Sequence, residues 1–169
     1  MSPTTNGGWG VTDIGIIELA KVGDGSGEEH KVDSGGFTWY AAELRLMDDT
    51  WLVADNAQIH FRDGTQLTMT DNVKVAVSHD VHFGVSATTG GILDISGNAE
   101  LLTGRDINFY TASVANQSGG LVQTGTGGSF DVKDGSIYNL SGGELKVRNT
   151  ITFVSADDYI NFTTDSTGK

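Results

Sequence analysis

The chain has 169 residues, with 22 Asp or Glu against 10 Lys or Arg, a formal net charge of −12. That balance argues against duplex nucleic acid as a partner, because phosphate binding needs clustered cations, and against an anionic membrane surface. Cysteine is absent, which excludes disulfides, thiolate nucleophiles and cysteine-ligated metals, and no apolar run approaches the roughly 18 residues of a membrane span.

The start, Met1 to Gly8, has no basic region and no apolar core, so no secretory signal is expected. Residues 1–36 carry Gly7-Gly8, Gly23-Asp24-Gly25-Ser26-Gly27 and Ser34-Gly35-Gly36 around one apolar stretch, Ile14 to Val22. As a strand, that stretch puts Ile14 and Ile16 on one face and Ile17 and Leu19 on the other. A short helix also fits, but the flanking glycines and the Ile/Val content favour extended chain. Such an element cannot bury itself, so it must pack on its own domain or on a neighbouring subunit. Residues 1–36 are therefore read as an extended Gly-rich N-terminal arm.

From Phe37 the apolar residues alternate with period two, the signature of strands. Examples are Ala57-Ile59-Phe61, Val73-Val75-Val77, Val81-Phe83, Leu145-Val147 and Ile160-Phe162. Glycine is abundant at 24 residues and proline occurs once, at position 3. Many short strands joined by tight turns are expected. A weak repeat is clearest in Gly90–Leu101 and aligns with Gly127–Tyr138, Gly64–Val75 and Trp51–Ile59, and more loosely with Gly142–Phe153. Its pattern is two alternating apolar positions, then Asn, Asp or Gly, then a small or β-branched residue. Asn, Asp and Gly tolerate left-handed backbone angles and so suit a corner. A two-residue hairpin fits too, but the similar apolar positions in every copy favour a bend between solenoid faces. A second recurrence is longer: Ile59-His60-Phe61, Val81-His82-Phe83 and Ile107-Asn108-Phe109. It sets a coil of about 22 to 28 residues, hence about five coils over residues 37–169.

Residues that could carry chemistry form no coherent set. His60 and His82 hold equivalent places and should stack on the outer surface as a polar ladder, with Asn108 a poor third ligand. His79 and His82 are three apart and face opposite sides of a strand, so they make no metal pair. His79-Asp80 reads as a corner. Asp24–Glu29 lacks the alternating oxygen ligands of a Ca²⁺ loop. Asp48-Asp49 and Asp157-Asp158 read as solvated turns. No Gly-x-Ser-x-Gly elbow exists, and Gln123–Gly128 leads into no Gly-Lys-Ser/Thr. Trp9, Trp39, Tyr40 and Trp51 crowd the N-terminal third, where a sugar-stacking face, a cap or a subunit interface could use them. Cap or interface is favoured.

On these repeats the chain resembles right-handed parallel β-helix proteins of the pectin-lyase-like class. Gly90–Leu101 and Gly127–Tyr138 also resemble the Gly-Gly-x-Leu-x-Val repeats of autotransporter and haemagglutinin-type adhesins. A short, acidic, Cys-free β-helix with a Gly-rich arm looks like virion proteins of tailed bacteriophages: tail spikes, fibres and capsid decoration (cement) proteins. The expected fold is all-β, a short right-handed parallel β-helix (β-solenoid) with an extended N-terminal arm. The expected function is non-enzymatic: a capsid decoration protein on the virion surface, without a cofactor or metal. Its expected partners are other copies in a trimer and the major capsid protein or another virion protein. The expected assembly interface is Trp9, Ile14, Ile16, Ile17, Leu19 and Trp39. The alternative is an adhesin or glycan-binding module at a cell surface; a polysaccharide lyase fragment comes third.

Overall fold

The structure is a computed structural model that describes residues 16–19, 28–39, 43–62, 64–84 and 89–163, with side chains at Thr38 and from Glu43 onward. The described chain runs through β1 (Ile16–Leu19), β2 (Glu28–Trp39), β3 (Glu43–Leu46), β4 (Thr50–Phe61), β5 (Gln66–Met69), β6 (Lys74–Val77) and β7 (Val81–Phe83). It continues through β8 (Ile92–Ile95), β9 (Glu100–Thr103), β10 (Ile107–Phe109), β11 (Val114–Gln123), β12 (Phe130–Val132), β13 (Ile137–Lys146), β14 (Ile151–Phe153) and β15 (Tyr159–Phe162). Every pairing among the described residues is parallel.

The pairings wind the chain into a parallel β-solenoid of about five turns with three walls. Wall A stacks β1, β3, β5, β8, the first half of β11, the first half of β13, and β15. Wall B stacks the first halves of β2 and β4, then β6, β9 and the second halves of β11 and β13. Wall C stacks the second halves of β2 and β4, then β7, β10, β12 and β14. Successive wall A partners are Ile16, Glu43, Gln66, Ile92, Val114, Ile137 and Tyr159, so one revolution takes 22–27 residues.

The boundary expected after residue 36 falls inside β2, which pairs with β4 from Glu28 to Trp39. The sheet therefore begins well before position 37. The aligned repeats also resolve differently from a simple coil repeat. Gly64–Val75 and Gly90–Leu101 turn from wall A to wall B, Trp51–Ile59 and Gly142–Phe153 from B to C, and Gly127–Tyr138 from C to A. The repeated unit is one corner with its two strands, used at all three edges of the prism. Left-handed backbone at Asp48, Asp49, Asn56, Asp71, Gly97 and Asp134 makes those corners, as the Asn/Asp/Gly signal implies.

The interior is a set of side-chain columns. Leu44, Leu67 and Leu93 stack beneath wall A, and Leu52, Val75, Leu101 and Val122 beneath wall B, all buried. Under wall C, Phe61, Phe83 and Phe109 lie nearly parallel at ring spacings of 5.0 and 4.9 Å, and Phe130 continues the column at 5.6 Å. The polar side chain inside wall A is hydrogen-bonded. Gln117 occupies an inner position on wall A; it accepts a hydrogen bond from the Tyr138 hydroxyl and donates to the carbonyls of Gly120 and Glu144. Burial pushes the Tyr138 hydroxyl far above its ordinary pKa, so it stays a donor.

Candidate assembly surfaces

Ser113, Ser136 and Asp158 each precede the wall A strand of their own rung. The Ser113 hydroxyl accepts from the amide of Gly91 at 3.0 Å, the Ser136 hydroxyl from that of Ser113 at 3.1 Å, and Asp158 Oδ1 from that of Ser136 at 3.2 Å. Asp158 also takes the amides of Gly135 and Val154 at 2.7 and 2.9 Å. Asp157 is exposed in its turn as expected, but Asp158 is buried and clasps the last corner. Burial alone would raise its pKa; the converging amides outweigh that and hold it below the ordinary carboxylate value.

Outside wall A runs a second ladder. Asn116 Nδ2 donates to Asp94 at 2.7 Å, Asn139 to Asn116 at 2.9 Å, and Asn161 to Asn139 at 2.8 Å. Each amide is in register with the one below, so a single donor–acceptor chain pins four rungs. Beside it lies an apolar row, Ile92, Val114 and Ile137, partly covered, and then exposed Tyr159.

Outside wall C, the expected pairing of His60 with His82 is present, with ring centroids 4.5 Å apart. Tyr110 continues the stack at 6.0 Å, and Lys133 lies 4.9 Å from the Tyr110 ring. The rings cover one another's faces and leave edges outward, a poor platform for stacking a sugar. The histidines are half-buried rather than fully solvated. Desolvation first, then His82 and Arg62, hold His60 at a pKa of about 4 against the pull of Asp80. Desolvation also lowers His82, with Lys133 adding to it while Asp80 and Asp106 oppose.

This pair gives a testable pH dependence. Between about 6.5, the unfolded value, and about 4 the unfolded chain binds protons that the folded chain refuses. Stability is full above about 6.5 and falls as the pH drops to about 4. Urea melts at pH 7 and 4.5 should show this loss in the native chain and a smaller one in the His60→Gln, His82→Gln double variant. Equal losses in both would rule the pair out as the cause.

The C-terminal end of the solenoid is open. β14 and β15 each pair on one edge only among the described residues. Ile151 and Phe153 hold the register of the inner residues of β12, and Phe162 that of Leu140. Yet they are 42%, 49% and 71% exposed, and Val154 beside them is 60% exposed. They hold core registers with no rung paired above them among the described residues. Exposed core ends and unpaired strand edges call for a cover.

The expected interface residues divide in two. Ile16, Ile17 and Leu19 sit in β1, paired with β3 of the same chain, and the register sets Ile17 and Leu19 against buried Leu44 and Leu46. Trp39 ends β2 opposite Phe61. Trp9 and Ile14, like Tyr40 and the Asp24–Gly27 loop, lie outside the described residues. Trp51 is 43% exposed on wall B, beside Lys74 and Glu100, which form an ion pair at 3.4 Å. That a coiled stack leaves unpaired edges at its ends follows from the coil reading itself; which side chains are left bare, Ile151, Phe153, Val154 and Phe162, does not.

No protein-family description matches the chain, and no curated protein or solved structure is significantly similar to it. Among the described residues, no group of three or more His, Asp or Glu is placed to hold a metal ion, and no helix is long and apolar enough to cross a membrane.

Proposed function

We propose that this protein is a non-enzymatic structural component of a bacteriophage particle, a capsid decoration protein that works as a homo-oligomer, with three copies the expected number. The observation that carries the reading is the pairing of a rung-to-rung hydrogen-bonded solenoid with an exposed apolar end. The outer ladders are spent on holding rungs together, and the stacked His60–His82–Tyr110 rings bury the faces a sugar would need. An apolar end is what an assembly contact uses. The resemblance to phage β-helix proteins supplies the particle; the solenoid supplies the rigidity such a contact requires.

The test is the protein's copy number in purified particles, by mass spectrometry against the shell protein. A fixed ratio to the shell supports decoration. A handful of copies per particle would move it to the tail, and absence from particles would reject the reading.

A further inference from the structure

We infer that the open C-terminal end is covered by the segment Trp9–Ile14 of a second copy of the chain. The inference rests on the assembly reading above but not on the particle in which assembly takes place.

The cover must bring apolar side chains to Ile151, Phe153, Val154 and Phe162. Residues 164–169 carry no Val, Ile, Leu, Met or aromatic side chain, so these six are not that cover. Residues 1–15 offer them: Met1 at the start and then Trp9, Val11 and Ile14 close together, in a sequence otherwise dominated by Gly, Thr and Ser. An extended segment can also add a strand to the bare edge of β14 or β15, a familiar mode of peptide recognition. A Trp set into the end of a hydrophobic column has the character of an interface anchor.

Reach decides whose segment it is. Wall A is seven strands deep from β1 to β15. At ~4.8 Å per strand the two ends of that wall are about 29 Å apart. Fully extended chain covers at most ~3.6 Å per residue. Ile14 can stand no more than about 7 Å from Ile16, Val11 about 18 Å and Trp9 about 25 Å. Ile14 and Val11 fall well short of the far end of their own solenoid, and Trp9 could touch it only with the chain run straight along the stack, so the contact of a segment seated there as a whole is made in trans. It joins unlike surfaces, and such contacts end in a closed ring when the rotation allows, which suits a small cyclic oligomer.

The experiment uses the full chain and two variants, one lacking residues 1–15 and one carrying Phe153→Asp with Phe162→Asp. Native mass spectrometry should find the full chain oligomeric, each variant monomeric, and an equimolar mixture as a one-to-one heterodimer, because one variant keeps the segment and the other keeps the end. Oligomers in the end-polar variant with an intact β-sheet spectrum, or monomers only in the mixture, would overturn the inference. If the aspartates unfold the last rung, single cysteines decide it, since the chain has no other. Val11→Cys in one chain and Phe162→Cys in another should form an interchain disulfide on mixing. Recovery of free thiols, or closure within one chain in the double-cysteine form, would overturn it. The copy number in particles is unaffected by either result, so the two readings fail separately.

Discussion

Gly125→Ala is expected to abolish the native fold. At the edge between walls B and C, a Cβ on Gly125 would stand 1.8 Å from the carbonyl oxygen of Gly104, and one on Gly104 would stand 1.9 Å from that of Ser78. The obstacle is backbone on three consecutive rungs, so no side-chain rotation relieves it. The rungs would have to separate, breaking the hydrogen bond from the Gly125 amide to Arg105 that closes the corner. Gly135→Ala is the matched control. It has a left-handed backbone but nothing within 4 Å of the added carbon, so only the strain of about 1–2 kcal/mol applies. Circular dichroism and soluble yield of the two variants should part sharply. If Gly125→Ala folds as well as Gly135→Ala, the close stacking at this edge is wrong.

The next largest effect belongs to the aromatic column. Phe109 is wholly buried and touches Phe83, Phe130 and Tyr138, with ring centres 4.9, 5.6 and 5.7 Å away. Phe109→Ala removes the middle of the column, and the rungs on either side are too firmly hydrogen-bonded to collapse into the gap. A cost of about 3–5 kcal/mol is expected, which lowers the thermal midpoint by on the order of 10 °C. Phe109→Leu should recover more than half of it. A midpoint shift of only a degree or two for the alanine variant would show that the column is loosely packed.

Much of the winding was legible in the residues. Ile59-His60-Phe61, Val81-His82-Phe83 and Ile107-Asn108-Phe109 are in register in wall C, and the spacing they set matches the observed 22–27 residues per revolution. They were readable because each carries two buried apolar residues about one polar one. What stayed hidden was polar. Gln117 fills an inner position, which breaks the apolar alternation, and it is tolerated because the Tyr138 hydroxyl and the carbonyls of Gly120 and Glu144 satisfy its amide. Asp158 looks like a surface carboxylate until the amides around it are counted. A signal for both ladders was nonetheless present: Ser113-Val114-Ala115-Asn116, Ser136-Ile137-Tyr138-Asn139 and Asp158-Tyr159-Ile160-Asn161 are three forms of one tetrapeptide. Its first residue serves the inner ladder and its last the outer one. Gly35 and Gly36, read in the sequence as part of a flexible arm, lie at the B-to-C edge of β2, opposite Ala57 and Gln58.

The amide ladder outside wall A has a directional sense. Each Asn hands its side-chain N–H to the oxygen of the residue one rung earlier, so Asn161 ends the line with its own oxygen unclaimed by Asn139. The row is therefore polarised like a string of dipoles: its terminal acceptor faces the end where the stack stops. A donor brought to that oxygen would lengthen the string by one more link, next to the exposed Phe162.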